Sequence, residues 1–172
     1  MTIRDISKIG LFVALMAVMS QIAIPLPWGV PLTMQTAAMI FAGISLGAKN
    51  GTMAAVVYVL LGAAGAPVFA NFGGGFGRII GPAGGFILTF PLLALSAGIA
   101  IKRQNIPWTA FWLVLGTSVN LVAGLWQFIF VTGSPLADSL EMAILPFLPG
   151  ALIEVVLFSC FAVKIRNVVA MR

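Results

Sequence analysis

Apolar residues along this chain gather into long stretches separated by short breaks, at about 7–24, 32–48, 51–66, 82–101, 108–132 and 147–166. An α-helix needs about 20 such residues to cross the hydrocarbon core of a bilayer. The pattern therefore predicts an all-α membrane protein, a bundle of six transmembrane helices. The breaks carry their own chemistry. The first stretch ends at "PLPWGVP", where Pro25, Pro27 and Pro31 cannot continue a helix. The second and third are divided only by "GAKNG", and the third stops at Pro67. Lys102 to Pro107 precedes the fifth, and "GSPLADSLEMAILP" separates the fifth from the sixth. Because apolar stretches recur along the chain, a cleaved secretory signal explains the first one poorly. The expectation is one membrane-embedded domain over residues 1–172.

Composition agrees: 61% of the residues are hydrophobic and only 8% charged, where soluble domains carry about 25%. Charge placement then suggests orientation, since cytoplasmic loops hold the excess of Lys and Arg. With the N-terminus inside, Arg4, Lys8, Lys49, Lys102, Arg103, Lys164, Arg166 and Arg172 all fall on the inner face, leaving Arg78 outside. One miscounted helix would scramble that separation, so both termini are expected in the cytoplasm. Topology thus accounts for the net charge of +5, which implies no nucleic-acid partner. The absence of histidine and the single Cys160 remove His-based catalysis, the usual zinc sets and any internal disulfide. No metal site is expected, and Cys160 reads as apolar filler.

The third break is unusual. "NFGGGFGRIIGPAGG", Asn71 to Gly85, holds seven glycines in fifteen residues with Arg78 among them. Phe69, Phe72, Phe76, Ile79 and Ile80 are poor residues for a flexible linker, and neither a P-loop nor a dinucleotide fingerprint is present. The remaining reading is a folded outer loop packed over the bundle, whose backbone can approach a ligand closely. Arg78 would there meet an acid: a substrate carboxylate, Asp138, Glu141 or Glu154. Snorkelling into the outer interface is the alternative.

Few polar residues interrupt the apolar stretches. Glu154 lies seven residues past Phe147, roughly 10 Å along the helix, where an ionised carboxylate is costly and usually faces a cavity or a partner. An interhelical bond is its simpler reading. Gln35 and Gln127 fall toward the outer ends of their helices with Trp28, which suggests a wet cavity open outward; Asn120, near midspan, reads as structural. In the first helix Gly10, Ala14 and Ala17 form a strip of small side chains that permits close helix approach.

"VPLTMQT" at 30–36, "LLGAAGAPVFANFGGGFGRIIGPAGGF" at 60–86 and "LPFLPGALIE" at 145–154 together resemble the biotin-specific substrate-binding S component (BioY family) of energy-coupling-factor transporters. The resemblance spans most of the chain. It implies a multi-pass protein of the bacterial plasma membrane that binds biotin from outside, without catalysis or a covalently bound cofactor. The ligand would lie beneath the turn at 25–31 and the glycine-rich loop, with Trp28, Thr33, Gln35, Phe69, Asn71, Phe72, Arg78 and Glu154 around it. It further implies that Gly10, Ala14 and Ala17 dock on a transmembrane coupling subunit, and that two cytosolic ATPase subunits handle ATP. One departure stands out. The family's sixth helix opens Pro-Gly-Asp-x-x-Lys, whereas this chain has Pro149, Gly150, Ala151 and then Glu154 in the lysine position. Glu154 is expected to accept from the ureido N–H groups instead, with Arg78 on the valerate carboxylate. Another vitamin is the alternative ligand. A passive channel is the alternative class, which would conduct without ATP or partners; an intramembrane enzyme lacks the groups it would need.

Overall fold

The structure is a computed structural model that describes residues 2–103 and 105–170, with no account of the side chains of 163 and 165–170. Arg172, counted above among the inner basic residues, lies outside the described residues, as does the side chain of Arg166.

Each apolar stretch is helical over most of its length. Helix α1 (Ile3–Met19) begins earlier than predicted because Thr2 and Asp5 form a capping box: the Thr2 hydroxyl accepts from the Asp5 amide at 3.3 Å while the Asp5 carboxylate accepts from the Thr2 amide at 2.8 Å. It also ends earlier. Ala23 and Ile24 leave the helix to form β1 (Ala23–Ile24), which pairs antiparallel with β2 (Leu32–Thr33) in the register Ala23 to Thr33 and Ile24 to Leu32. The prolines thus sit in a hairpin arm.

The next two stretches form α2 (Gln35–Ala63), two helical runs that meet at a break at Gly47. There φ is 75° and ψ 173°, a region open essentially to glycine alone. The chain reverses at this point. A Cβ placed on Gly51 would lie 2.8 Å from the Cα of Gly43, whereas an unbroken helix separates residues eight apart by about 12 Å. Residues 35–46 and 48–63 are therefore two limbs of a hairpin, as "GAKNG" suggested.

The glycine-rich segment holds a short 3-10 turn (Ala70–Phe72) and helix α3 (Phe76–Ile80). The fourth stretch arrives in two pieces, α4 (Gly84–Leu88) and α5 (Phe90–Ala100), divided at Thr89 ahead of Pro91. Helix α6 (Ile106–Thr132) is unbroken. The following segment, expected to be a loop, contains α7 (Leu136–Ala143), and a bend of 49° joins it to the last helix, α8 (Leu148–Ala170).

Among the described residues α6 is long and apolar enough by itself to cross a membrane; α2 reaches that length only with its two limbs taken together, the bent α7–α8 pair is a further candidate, and α5 is a shorter apolar helix. The main core joins α1, α2, α5 and α6 through Met16, Met39, Tyr58, Phe90, Leu93 and Leu113, each at most 2% exposed. Away from the hairpin arm the packing is backbone on backbone. Gly43 meets the Ala94 carbonyl and Ala97, and Gly98 meets the backbone of Ala48. Small residues let helices approach this closely. A second cluster of Val30, Phe86, Phe128 and Ala143 joins the arm to α4, α6 and α7.

Candidate ligand-binding site

At the opposite end from that close packing, the helices enclose a cavity of about 780 Å³, within the range of small-molecule sites. Its walls are mainly apolar, with Met19, Phe41, Phe86, Phe90 and Phe158 among them. Five elements bring the polar groups, Arg78 coming from α3. The strand β2 supplies Thr33, the start of α2 supplies Gln35 and Thr36, α6 supplies Thr117 and Asn120, and α8 supplies Glu154. Arg78 and Ala83 of the glycine-rich segment and Phe69 and Ala70 just before it also line the cavity.

Among the residues expected from sequence, Thr33, Gln35, Phe69, Arg78 and Glu154 are therefore brought together around one space. Trp28, Asn71 and Phe72 stand elsewhere. Trp28 packs against the cluster of Val30 and Phe86, behind the wall that those two residues present to the cavity. Phe72 is 73% exposed. Asn71 and Phe72 share left-handed backbone, at φ 55° and 53°, which Asn tolerates and Phe rarely adopts. The Phe72 amide donates to Gln21 Oε1 at 2.8 Å, and a bridge between Phe69 and Gly73 closes the turn.

Arg78 shows why a glycine precedes it by five residues. Its side chain lies over Gly73, where a Cβ would come within 2.8 Å of Nε. No acidic side chain pairs with Arg78 among the described residues. Asp138 sits in the first turn of α7, and Glu154 is engaged by a neutral group.

Glu154 is half-buried and accepts a hydrogen bond from Thr36 Oγ1 at 2.8 Å. This bond ties α8 to the first turn of α2, whose N-cap position, Met34, has no capping side chain. A carboxylate is favoured at such a helix end. The Ala37 backbone amide engages the same carboxylate, which also lines the cavity.

Behind the opposite wall runs a chain of polar contacts. Gln35 Nε2 donates to the Tyr58 hydroxyl at 2.7 Å, and that hydroxyl donates to the Val68 carbonyl at 2.8 Å. Ser20 Oγ donates to the same carbonyl at 2.6 Å. Gln21 Nε2 in turn donates to Ser20 Oγ at 2.7 Å and to the Phe69 carbonyl at 3.2 Å. The end of α1, the start of α2 and the entry to the glycine-rich segment are thus one network, with Tyr58 fully buried at its centre. Gln127 fastens the far side of that segment, donating to the carbonyls of Ile79 at 2.6 Å and Gly81 at 2.9 Å. Asn120 donates to the Phe86 carbonyl and to Thr89 Oγ1, both at 2.8 Å, in keeping with its reading as an interhelical bond.

Sequence reasoning missed Tyr58, Ser20, Gln21, Thr36 and Thr117. The only tyrosine of the chain, set in an apolar stretch, was a usable signal, because a buried phenol needs a partner. Ser20 and Gln21 were another, two adjacent polar residues near a helix end. Of the proposed docking strip, Gly10 and Ala14 are exposed, whereas Ala17 is partly buried against the core.

Comparison with known proteins gives this architecture a context. A probable biotin transporter BioY of Pyrococcus horikoshii is 35% identical over 148 residues, covering 86% of this chain and 87% of that one. The biotin transporter BioY of Thermotoga maritima is 34% identical over 165 residues, 95% and 96% of the two chains. Among solved structures, the S-component for biotin from an ECF-type ABC transporter superposes with a TM-score of 0.85 over 97% of this chain and 95% of that one, at 24% identity, a likeness of fold. The profile of the BioY family matches residues 1–171, and this chain belongs to that family.

Proposed function

We propose that this chain captures biotin from outside the cell, as the membrane-embedded substrate-binding subunit of an ATP-driven energy-coupling-factor transporter. As a BioY-family member it is a transport protein and not an enzyme. The observation that carries the ligand assignment is the cavity, whose apolar walls are interrupted by the Glu154 carboxylate and, on the glycine-rich segment, by the Arg78 guanidinium. Biotin has a compact head with polar urea edges, an apolar sulfur ring and tail, and an anionic end. Glu154 accepts from the ureido N–H groups, and Arg78 holds the valerate carboxylate by a charge-assisted bond. Phe69 encloses the apolar ring, while Thr33 and Gln35 line the rim. Trp28 supports that wall from behind, and the turn of Asn71 and Phe72 shapes the loop.

The remaining assignments rest on this reading. The chain forms one domain with six crossings of the cell membrane and both termini in the cytoplasm, supported by the distribution of basic residues. Residues 71–85 form the outer lid. Gly10, Ala14 and Ala17 dock on a transmembrane coupling subunit; a Cβ on Gly10 would meet nothing within 4 Å, so a partner helix can approach there. Two cytosolic ATPase subunits supply energy, and no cofactor is bound covalently.

Labelled biotin binding to the detergent-solubilised protein, repeated for Glu154→Gln and Arg78→Ala, tests the assignment. Both substitutions are expected to weaken binding; unchanged affinity in both would overturn it. Mass spectrometry of the small molecule that copurifies distinguishes biotin from another vitamin.

A further inference from the structure

Two polar side chains on α6 face the cavity with hydrogen-bonding capacity that the protein leaves unspent. Asn120 is 2% exposed and lines the cavity. Both hydrogens of its Nδ2 are committed, one to the Phe86 carbonyl and one to Thr89 Oγ1, whose own hydrogen points at the Gly85 carbonyl. That fixes which end of the amide is which. Oδ1 accepts no bond among the described residues. Thr117 lies one turn earlier on the same face and also lines the cavity. Its hydroxyl is buried behind the cavity surface without a partner among the described residues, although a helical threonine can ordinarily donate to the carbonyl four residues back. A buried hydroxyl left unpaired is destabilising, so the folded protein gains nothing from it alone.

We infer that Asn120 and Thr117 form a urea-reading pair on α6: Asn120 Oδ1 accepts from one ligand N–H, and the Thr117 hydroxyl donates to the adjacent urea oxygen. The inference rests on the biotin reading above and adds residues to it. A cyclic urea presents an N–H and its C=O side by side on each edge, which is the complement of an acceptor and a donor one helical turn apart. Threonine populates two helical rotamers, and rotation about χ1 exchanges its methyl and hydroxyl positions toward the ligand. Glu154, with one oxygen already held by Thr36, then needs to serve only the second N–H. The arrangement also explains how α8 dispenses with a polar side chain at Ala151, which contributes only a methyl group to the lining. Sites built to hydrogen-bond a ligand group reject analogues lacking it strongly, because the site's own polar atoms are then left unpaired.

The test compares labelled biotin with its thiourea analogue, in which sulfur replaces the urea oxygen while both N–H groups and the valerate carboxylate remain, on the solubilised full chain. Wild type is expected to prefer biotin by about tenfold or more. Thr117→Val keeps the shape and removes the hydroxyl. It should lower biotin affinity about tenfold, close the gap to the analogue, and leave the melting temperature equal or higher; Thr117→Ser should restore the gap. An unchanged gap in Thr117→Val overturns the assignment of Thr117 while leaving biotin as ligand. For Asn120, the two N-methyl isomers of biotin are compared in Glu154→Ala, where one N–H has lost its acceptor. Affinities about tenfold apart support Asn120 as the second acceptor, and equal affinities overturn it. Absence of biotin binding by the wild-type chain overturns the underlying reading itself.

Discussion

Replacing Tyr58 with phenylalanine removes one oxygen from the centre of the network that joins α1, α2 and the glycine-rich segment. The ring stays, edge-on to Phe69 at 5.5 Å between centroids, so packing is preserved and the change isolates the hydroxyl. Two hydrogen bonds disappear with it. Their consequences differ. The Val68 carbonyl keeps Ser20 Oγ at 2.6 Å, whose single hydrogen it shares with the Ala17 carbonyl at 2.7 Å. Gln35 Nε2 loses its partner, and Gln35 is only 6% exposed. A buried donor left unpaired costs about 1–3 kcal/mol, against an average near 0.6 kcal/mol for interhelical bonds in membranes, where groups often find new partners. The higher range applies here, because a flip would let Nε2 donate to Thr33 Oγ1 but would turn Oε1 toward the new phenylalanine ring, exchanging an unpaired donor for an unpaired acceptor. Since Gln35 lines the cavity and Val68 leads into the glycine-rich segment, the loss should appear in ligand retention. A penalty of about 1–2 kcal/mol is a weakening of roughly 5- to 30-fold. Biotin dissociation, followed by chase of the labelled ligand, should accelerate correspondingly, and the melting temperature should fall. If Tyr58→Phe matches wild type in both while Gln35→Leu weakens binding, Gln35 acts alone and the network holds nothing.

Three further outcomes are expected. Gly47→Ala should destabilise the fold by about 1–3 kcal/mol in thermal unfolding, purely through backbone strain, since a Cβ there would touch nothing within 4 Å; Gly47→Asn should not rescue it. Gln127→Leu strips the donor from the Ile79 and Gly81 carbonyls and should expose the 76–81 segment to limited proteolysis in the absence of ligand, with protection partly restored by biotin. Gly10→Leu should leave biotin binding by the isolated chain unchanged and abolish biotin uptake by the assembled transporter; loss of binding in the isolated chain would refute a role confined to docking.

How much of this was legible in the sequence depends on the scale of the signal. Apolar runs bounded by proline and glycine located the helices, because burial and helix breaking act locally. The chain reversal at "GAKNG" was visible for the same reason, although the structure assigns it to a single residue, Gly47. The hairpin of β1 and β2 was not, since each strand is two residues long, too short for alternation to register. Nor was α7, which "GSPLADSLEMAILP" disguised among turn-forming residues. In the site, charged and amide side chains drew notice because membrane burial makes them expensive. Thr36 and Thr117 escaped, for a threonine hydroxyl can satisfy itself within its own helix and is unremarkable until its partner is known. Trp28 is expected at the cavity from its position on the arm, yet it packs against the cluster of Val30, Phe86, Phe128 and Ala143 and is not among the lining residues.

The contact of Gly43 with Ala97 and of Gly98 with Ala48 has a further meaning for traffic. Main chain pressed against main chain forms a plug with no side chain to swing aside, so opening it would mean prying whole helices apart. A ligand resting on the Phe41 side of that plug faces a dead end. If the chain works as proposed above, with its cavity open outward, the ligand would leave by the doorway of entry, and delivery to the other face would require the entire subunit to change its bearing relative to the membrane.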